Sequence, residues 1–416
     1  MAAGGRPEML EVGAAQKIVL GSVPLLRAKS VAVDEALGLT LAADVLAPEP
    51  IPLFDSSAMD GFALRCADVA GATEESPVSL DMGALSRAGA PYTGPMGART
   101  AVKIMTGAMV PPDADAVVMK EYTDDLGETV LIKRAAAPGD HIRRRGEEFA
   151  EGDTTLFAGM RVTPPVIGLL ATLGFREVLV RPNPSVALIV TGSELKLPGE
   201  ELAPGQIRDA NSPALVAALR AIGIEPISAE RVVDEKETIA SSLGAALGRA
   251  DVTITVGGVS VGDFDLVKDV AEEIGVETLF WRIAMKPGKP NYFGKKGDAL
   301  LFGLPGNPVS ALVSFHQLVR PALRAMSGRT RGDNDSPILA RLEKDIRKRT
   351  HRLEFVRGRL GRGGGGEITV LPLTGQESHK LGALGRADCV ILFPRDEHRL
   401  AAGEPVEVER LDWSAS

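Results

Sequence analysis

The chain has little of what usually announces a chemistry. Among 416 residues there are two cysteines, Cys66 and Cys389. They have no metal-ligand spacing, and only two cysteines argue against a disulfide framework, which suits a reducing cytosol. No His/Cys cluster exists to hold zinc. Neither a Gly-x-Ser-x-Gly nucleophile turn nor a Gly-x-x-x-x-Gly-Lys-Ser/Thr phosphate loop occurs. The longest apolar run, around Val166 to Leu173, is far too short to span a bilayer. The N-terminus lacks the basic-then-apolar order of a secretory signal. Net charge is −8, which argues against nonspecific nucleic-acid binding. Aromatic residues make up only 4% of the chain, whereas glycine reaches 46 and proline 28, so the protein is rich in turns.

What is present is ordinary in amount and specific in arrangement. Hydrophobic content of 44% and charged content of 25% fit a globular protein. The length calls for two to four domains. Residues 8–20 carry apolar side chains at helical spacing, and residues 31–46 read as a strand, a helical turn at Asp34–Gly38 and a second strand. Residues 51–145 read as mostly β. Thr163–Leu173 reads as a helix with prolines in its first turn, and Glu177–Val180 as a strand. From Val186 strands and helices alternate, which predicts a three-layer α/β domain. Helices are expected at Ser212–Ile222, with Ser212 as cap, at Glu235–Leu247, at Asp265–Ile274 and at Val309–Met326. After a polar linker at 327–336, five short runs beginning at Ile338, Phe355, Ile368, Cys389 and Pro405 predict a small barrel. Gly363–Gly366 is its hairpin tip.

The stretch 251–316 organises the α/β part. Val252–Val256 is a β-branched run that breaks at Gly257-Gly258 and leads to Ser260, Asp263 and Asp265. Ala299–Phe302 breaks in the same way, at Gly303, Pro305, Gly306, Asn307 and Pro308, with Ser310 in the helix that follows. Ser193 and Glu194 follow the strand Val186–Val190, and Asp234 follows a fourth. Ligands bind at the carboxyl ends of strands in open α/β sheets, so neighbouring strands would gather these groups at one rim. Glycine amides, a helix start and the fixed charges of Lys286 and Lys289 suit a phosphate ester. Carboxylates beside it suit a hard cation such as Mg²⁺. Elsewhere the residues alone favour turn chemistry: Asp55 and Ser56 read as bonding local backbone, and the basic run at Arg143–Arg145 as a solvated or salt-bridged face.

Seven motifs in order carry a resemblance. They are Asp55-Ser-Ser-Ala-Met-Asp-Gly61, Ile104-Met-Thr-Gly-Ala108, Arg144-Arg-Gly-Glu147, Thr191-Gly-Ser-Glu-Leu195, Gly257-Gly-Val-Ser-Val-Gly262, Lys286-Pro-Gly-Lys-Pro290 and Gly303-Leu-Pro-Gly-Asn-Pro-Val-Ser-Ala311. The chain resembles the MoeA family of molybdopterin molybdenumtransferases and the similar E domains of gephyrin and plant Cnx1. The resemblance implies an α/β and β multidomain protein. A discontinuous linking domain would comprise 1–50 plus 146–182, a mostly β inserted domain 51–145, an α/β molybdopterin-binding domain 183–327 and a C-terminal β-barrel domain 335–412. It implies a cytoplasmic homodimer that inserts molybdate into adenylated molybdopterin, hydrolyses the adenylate and releases AMP. The protein partners implied are molybdopterin adenylyltransferase and recipient molybdoenzymes. A scaffold role on the same fold is the alternative, and no extra module supports it.

The resemblance also assigns roles. Asp60, Thr106, Glu194, Asp234 and Asp263 are the implied catalytic residues, with Glu194, Asp263 and Asp265 around Mg²⁺. Asp60 and Thr106 would come from the partner's β domain. Gly257, Gly258, Ser260, Gly306, Asn307 and Ser310 would line the cofactor site. Lys286 and Lys289 would hold molybdate or phosphate, and Pro305 and Pro308 would shape the pterin loop. Arg357 and Ser378 would be anion contacts from the barrel. Two departures stand out: Ser193 replaces a frequent Asp, and Glu148 replaces another.

Overall fold

Six strands form the sheet that carries the strand-end loops. Their order is Ser228–Val232, Val186–Thr191, Val252–Val256, Ala299–Leu304, Tyr292–Lys296, Glu277–Trp281. The first four run parallel, and Tyr292–Lys296 pairs antiparallel with both Ala299–Leu304 and Glu277–Trp281. A computed structural model describes residues 9–258, 266–330, 336–411 and 413. Every residue of Val186–Thr191 and of Val252–Val256 is buried, as expected of parallel strands covered on both faces. The alternation is visible in the packing. Val186, Leu188 and Val190 enter one core with Leu215, Leu219, Val313 and Leu323. Ala187 and Ile189 enter a second core with Ile239, Leu243, Val267 and Val270. The two faces therefore carry different helices, Asn211–Ala221 and Pro308–Ser314 on one, Lys236–Leu247 and Leu266–Glu273 on the other. This is the expected three-layer arrangement.

Three details differ from the sequence reading. The cap of Asn211–Ala221 is not Ser212. Asp209, buried just before the helix, accepts from the Ser212 amide at 3.0 Å and from the Ser212 hydroxyl. The helix expected at Val309–Met326 is present but contains a π turn, Phe315–Val319, between Pro308–Ser314 and Arg320–Met326. The strand Tyr292–Lys296 was not foreseen, because prolines and glycines on its N-terminal side mask its start.

The barrel closes. Leu353–Arg362 pairs with Ile368–Pro372 on one side and Cys389–Phe393 on the other, and Ile338–Leu342 and Pro405–Arg410 complete the ring. Ala340, Leu342, Val356, Val370, Cys389, Ile391 and Val408 fill it. One further strand, Met285–Lys286, comes from the α/β segment and pairs in parallel with Leu353 and Glu354. The helix Val12–Ser22 buries Val12, Ala15 and Val19, one face at helical spacing, against the α/β core.

By packing, the chain forms two units. The first contains Met1–Ala42, Gly159–Thr163 and Glu177–Ser416, and holds all elements above. The second contains Ala43–Ala158 and Pro164–Arg176. Its main sheet has the order Ala116–Met119, Gly61–Leu64, Thr100–Ile104, Val78–Ser86, Thr129–Ile132, Thr123–Asp125, around a core of Phe62, Leu64, Leu80, Val118, Val130 and Ile132. The segment 51–145 lies inside this unit, while 1–50 and 146–182 each contribute to both units. Among the described residues no helix is long and apolar enough to cross a membrane.

Candidate active site

A cleft of about 750 Å³ opens at the carboxyl ends of the four parallel strands. Each strand delivers part of its wall. Thr191 and Glu194 follow Val186–Thr191, and Asp234 follows Ser228–Val232. Gly257 and Gly258 follow Val252–Val256, and Pro305, Gly306, Asn307 and Pro308 follow Ala299–Leu304. Lys289 and Pro290 close another side. The convergence expected from the sequence is therefore observed for Glu194, Asp234, Gly257, Gly258, Lys289, Pro305, Gly306, Asn307 and Pro308.

The glycine pair is required by shape. Gly257 has φ +89° and Gly258 φ +66°, a region that side-chain-bearing residues seldom adopt. A Cβ on Gly257 would stand 2.6 Å from the Thr191 carbonyl oxygen, and one on Gly258 2.8 Å from Val267 Cγ2. The two strand-end turns also approach each other closely: a Cβ on Gly306 would lie 3.7 Å from Gly257 Cα.

Three charged groups in the cleft are uncommitted. Among the described residues, the side chains of Glu194, Asp234 and Lys289 make no hydrogen bond or ion pair within the chain. They face the cavity with two carboxylates and one ammonium available. Asn307 reaches the barrel instead, its Nδ2 donating to Ser378 Oγ at 3.1 Å. That bond places Ser378 at the cleft's edge.

Other expected residues are placed differently. Lys286 does not line the cleft; it sits on the short strand Met285–Lys286 and pairs with buried Glu354 at 3.2 Å. Ser310 is buried inside the helix Pro308–Ser314. Arg357 is not at the cleft wall. Its side chain is 1% exposed and donates from Nη2 to the carbonyls of Gly375 at 2.8 Å and Glu377 at 3.3 Å. Burial pushes its pKa down to about 10, against the pull of Glu377. It braces the loop that carries Ser378. Ser260, Asp263 and Asp265 lie outside the described residues.

Asp60 and Thr106 belong to the second unit, and they meet there. Asp60 Oδ1 accepts from the Thr106 amide and from Thr106 Oγ1, both at 2.8 Å, and Lys120 Nζ lies 3.7 Å from Oδ2. The Thr106 amide and hydroxyl hold the Asp60 pKa below the ordinary carboxylate value, with Lys120 adding to them. Asp55, by contrast, is structural. It accepts from the Arg145 amide at 2.8 Å and from Arg144 Nη1 at 2.7 Å. Burial acts to raise its pKa, and these two donors together outweigh that and lower it.

Sequence reasoning missed Arg208, Asn211 and His379, which also line the cleft. Arg208 and Asn211 sit on no glycine-punctuated turn. The sequence signal was Asp209, a helix-capping residue immediately between them. His379 adjoins Ser378 and could have been read from it.

This architecture is shared with known proteins. The molybdopterin molybdenumtransferase of Haemophilus influenzae is 36% identical over 403 residues, covering 96% of this chain and 98% of that protein. The chain belongs to the MoeA family. Three models of MoeA-related regions match it in order: the MoeA N-terminal region (domain I and II) at residues 10–174, a probable molybdopterin binding domain at 187–325, and the MoeA C-terminal region (domain IV) at 339–411. Molybdopterin molybdenumtransferase 2 of Mycobacterium tuberculosis is 39% identical, covering 94% of this MoeA chain and 97% of its own. The crystal structure of the molybdopterin biosynthesis MoeA protein from Pyrococcus horikosii superposes with a TM-score of 0.80 at 31% identity, covering 98% of this chain and all of that one.

Proposed function

We propose that this MoeA-family protein is a transferase of molybdenum cofactor biosynthesis, which takes molybdate and adenylated molybdopterin, hydrolyses the adenylate and releases AMP. The observation that carries the reading is the convergence of uncommitted Glu194, Asp234 and Lys289 with the Gly257-Gly258 and Pro305–Pro308 turns in one cleft. A substrate with a pyrophosphate link brings negative charge that Lys289 and Arg208 attract. Apolar walls from Val256, Leu195 and three prolines suit a flat heterocycle. Glu194 and Asp234 hold the polar end of the substrate in place.

The donor set fits Mg²⁺ in kind, since Glu194 and Asp234 are the hard oxygen ligands that ion takes. Among the described residues no trio of His, Cys, Asp or Glu could hold a metal alone, so substrate phosphate oxygens and water would complete the shell. When bound, the ion would neutralise charge on the pyrophosphate. A second copy of the chain, in a homodimer, contributes the Asp60–Thr106 pair to the same reaction. The four-domain division expected from the sequence is part of this proposal, as is a cytoplasmic location. Incubating the protein with adenylated molybdopterin, molybdate and Mg²⁺ and following AMP by chromatography tests the reading. Release of AMP above the protein-free rate is expected; none, from folded protein, overturns it.

A further inference from the structure

Asn211 occupies a position that its neighbours make unusually definite. It is the first residue of the helix Asn211–Ala221, and it is 8% exposed. The preceding Asp209 fastens the helix start by accepting from the Ser212 amide. From there the Asn211 carboxamide crosses to a different strand-end turn: Nδ2 donates to the Gly306 carbonyl at 2.7 Å. The two segments are 95 residues apart in the chain.

The peptide joining Gly306 to Asn307 is trans and planar, so its C=O and N–H point in opposite directions. A group that grips the carbonyl therefore also aims the amide. Among the described residues no acceptor takes the Asn307 N–H, although this turn lines the cleft. We infer that Asn211 is a positioning residue: by holding the Gly306 carbonyl it presents the Asn307 amide to an anionic oxygen of the substrate. The anion class is the phosphate or pyrophosphate of the proposed substrate, and in that respect the inference rests on the proposed function. Asn211 itself touches no reacting atom in this scheme.

An isosteric variant gives a readout that ordinary packing does not. In Asn211→Asp the carboxylate has the size of the carboxamide but no proton to donate, and it faces a carbonyl oxygen. Protonation restores an O–H donor to the same place. Burial beside a carbonyl raises the pKa of such an acid, so the recovery should occur above the usual carboxylate range. AMP serves as the probe, measured by calorimetry, with each variant compared to wild type at every pH. Asn211→Ala should weaken AMP binding about tenfold, equivalent to about 1.4 kcal/mol, at all pH values. Asn211→Asp should match that loss at pH about 8.5 and approach wild type near pH 5.5. In turnover the loss should appear in KM rather than kcat. Alanine is well tolerated in a first helical turn, so the alanine arm stays informative even if the aspartate variant unfolds.

A pH-independent deficit in folded Asn211→Asp, or wild-type affinity in Asn211→Ala, overturns the inference. If wild type releases AMP from adenylated molybdopterin while either of those results holds, the latch fails and the proposed function stands. If wild type releases no AMP while the aspartate variant titrates as described, the function falls and the latch remains.

Discussion

Two regions of this molecule collect acidic and hydroxyl side chains on short turns, and they use them oppositely. In the cleft of the α/β domain, Glu194 and Asp234 have no partner among the described residues. Around Asp55 and Asp60, in the second unit, each carboxylate is already bonded to backbone amides and side chains within 2.8 Å. A carboxylate bonded to its own chain holds that chain in shape, and at Asp60 it sets the geometry of the Asp60–Thr106 pair. One left uncommitted at the mouth of a parallel sheet is available to a ligand. Composition does not separate the two cases, since Gly192-Ser193-Glu194 and Asp55-Ser56-Ser57 each set a carboxylate beside hydroxyl residues. The backbone behind them does: four parallel strands end together at the cleft, whereas the Asp55 turn lies beside a two-residue strand.

This contrast predicts a graded series of outcomes. Gly257→Ala should have the largest effect. Left-handed backbone costs a residue with Cβ about 1–3 kcal/mol, and the added carbon also meets the Thr191 carbonyl at 2.6 Å, so the turn must move. Thermal unfolding should shift down and AMP release should be lost. Gly306→Ala makes the comparison sharp, because its nearest contact of 3.7 Å is ordinary, and stability should stay close to wild type.

Next come Glu194→Gln and Asp234→Asn. Removing an uncommitted carboxylate should leave stability within about 0.5 kcal/mol while AMP release falls roughly a hundredfold, the scale of a lost polar contact to a transition state. Steady-state kinetics beside denaturant melts would show both. A large loss of stability with activity retained would erase the distinction between the two regions.

Asp55→Ala should show the reverse pattern. The loss of two donors' acceptor should destabilise by about 1 kcal/mol, discounted because the pair is partly exposed. The folded-state pKa of Asp55 is lowered, so its contribution is present above the unfolded carboxylate value and is lost as pH falls through the folded one. The difference in melting temperature between wild type and Asp55→Ala should therefore shrink on acidification below the ordinary carboxylate range.

The smallest effect concerns the thiols. Cys66 and Cys389 are buried. Burial, aided by Asp115, pushes Cys66 up to about 12, and burial pushes Cys389 up as well, aided by Asp388. Thiolate is the reactive form, so a thiol-specific reagent should label neither residue in native protein at neutral pH. Both should label once denaturant unfolds the chain.

Much of this was legible in the sequence for identifiable reasons. Val252–Val256 could be read as a strand because it is β-branched and bounded by Gly257. The cleft residues followed because strand-end turns in an open parallel sheet must meet. What escaped reading depended on partners distant in the chain. Lys286 looked free, and only the fold brings Glu354 to it. Ser212 looked like a cap, but the helix begins one residue earlier and the Asp209 carboxylate takes the amide of Ser212 itself. Arg357 looked like an anion contact, yet its guanidinium is enclosed by carbonyls of the 375–377 loop. Beside Asn211, Asp209 marks a helix start and nothing more, since the partner that gives Asn211 its role, Gly306, is reached only across the sheet.

The strand Met285–Lys286 has one further consequence. It leaves the α/β domain to become an edge of the barrel's sheet, beside Leu353 and Glu354, and Leu353 donates its amide to the Ala284 carbonyl at 3.2 Å. The two domains are thus sewn together by main chain rather than merely leaning on each other. Any swing of the barrel away from the α/β sheet would have to break this main-chain pairing, and the Asn307–Ser378 bond with it.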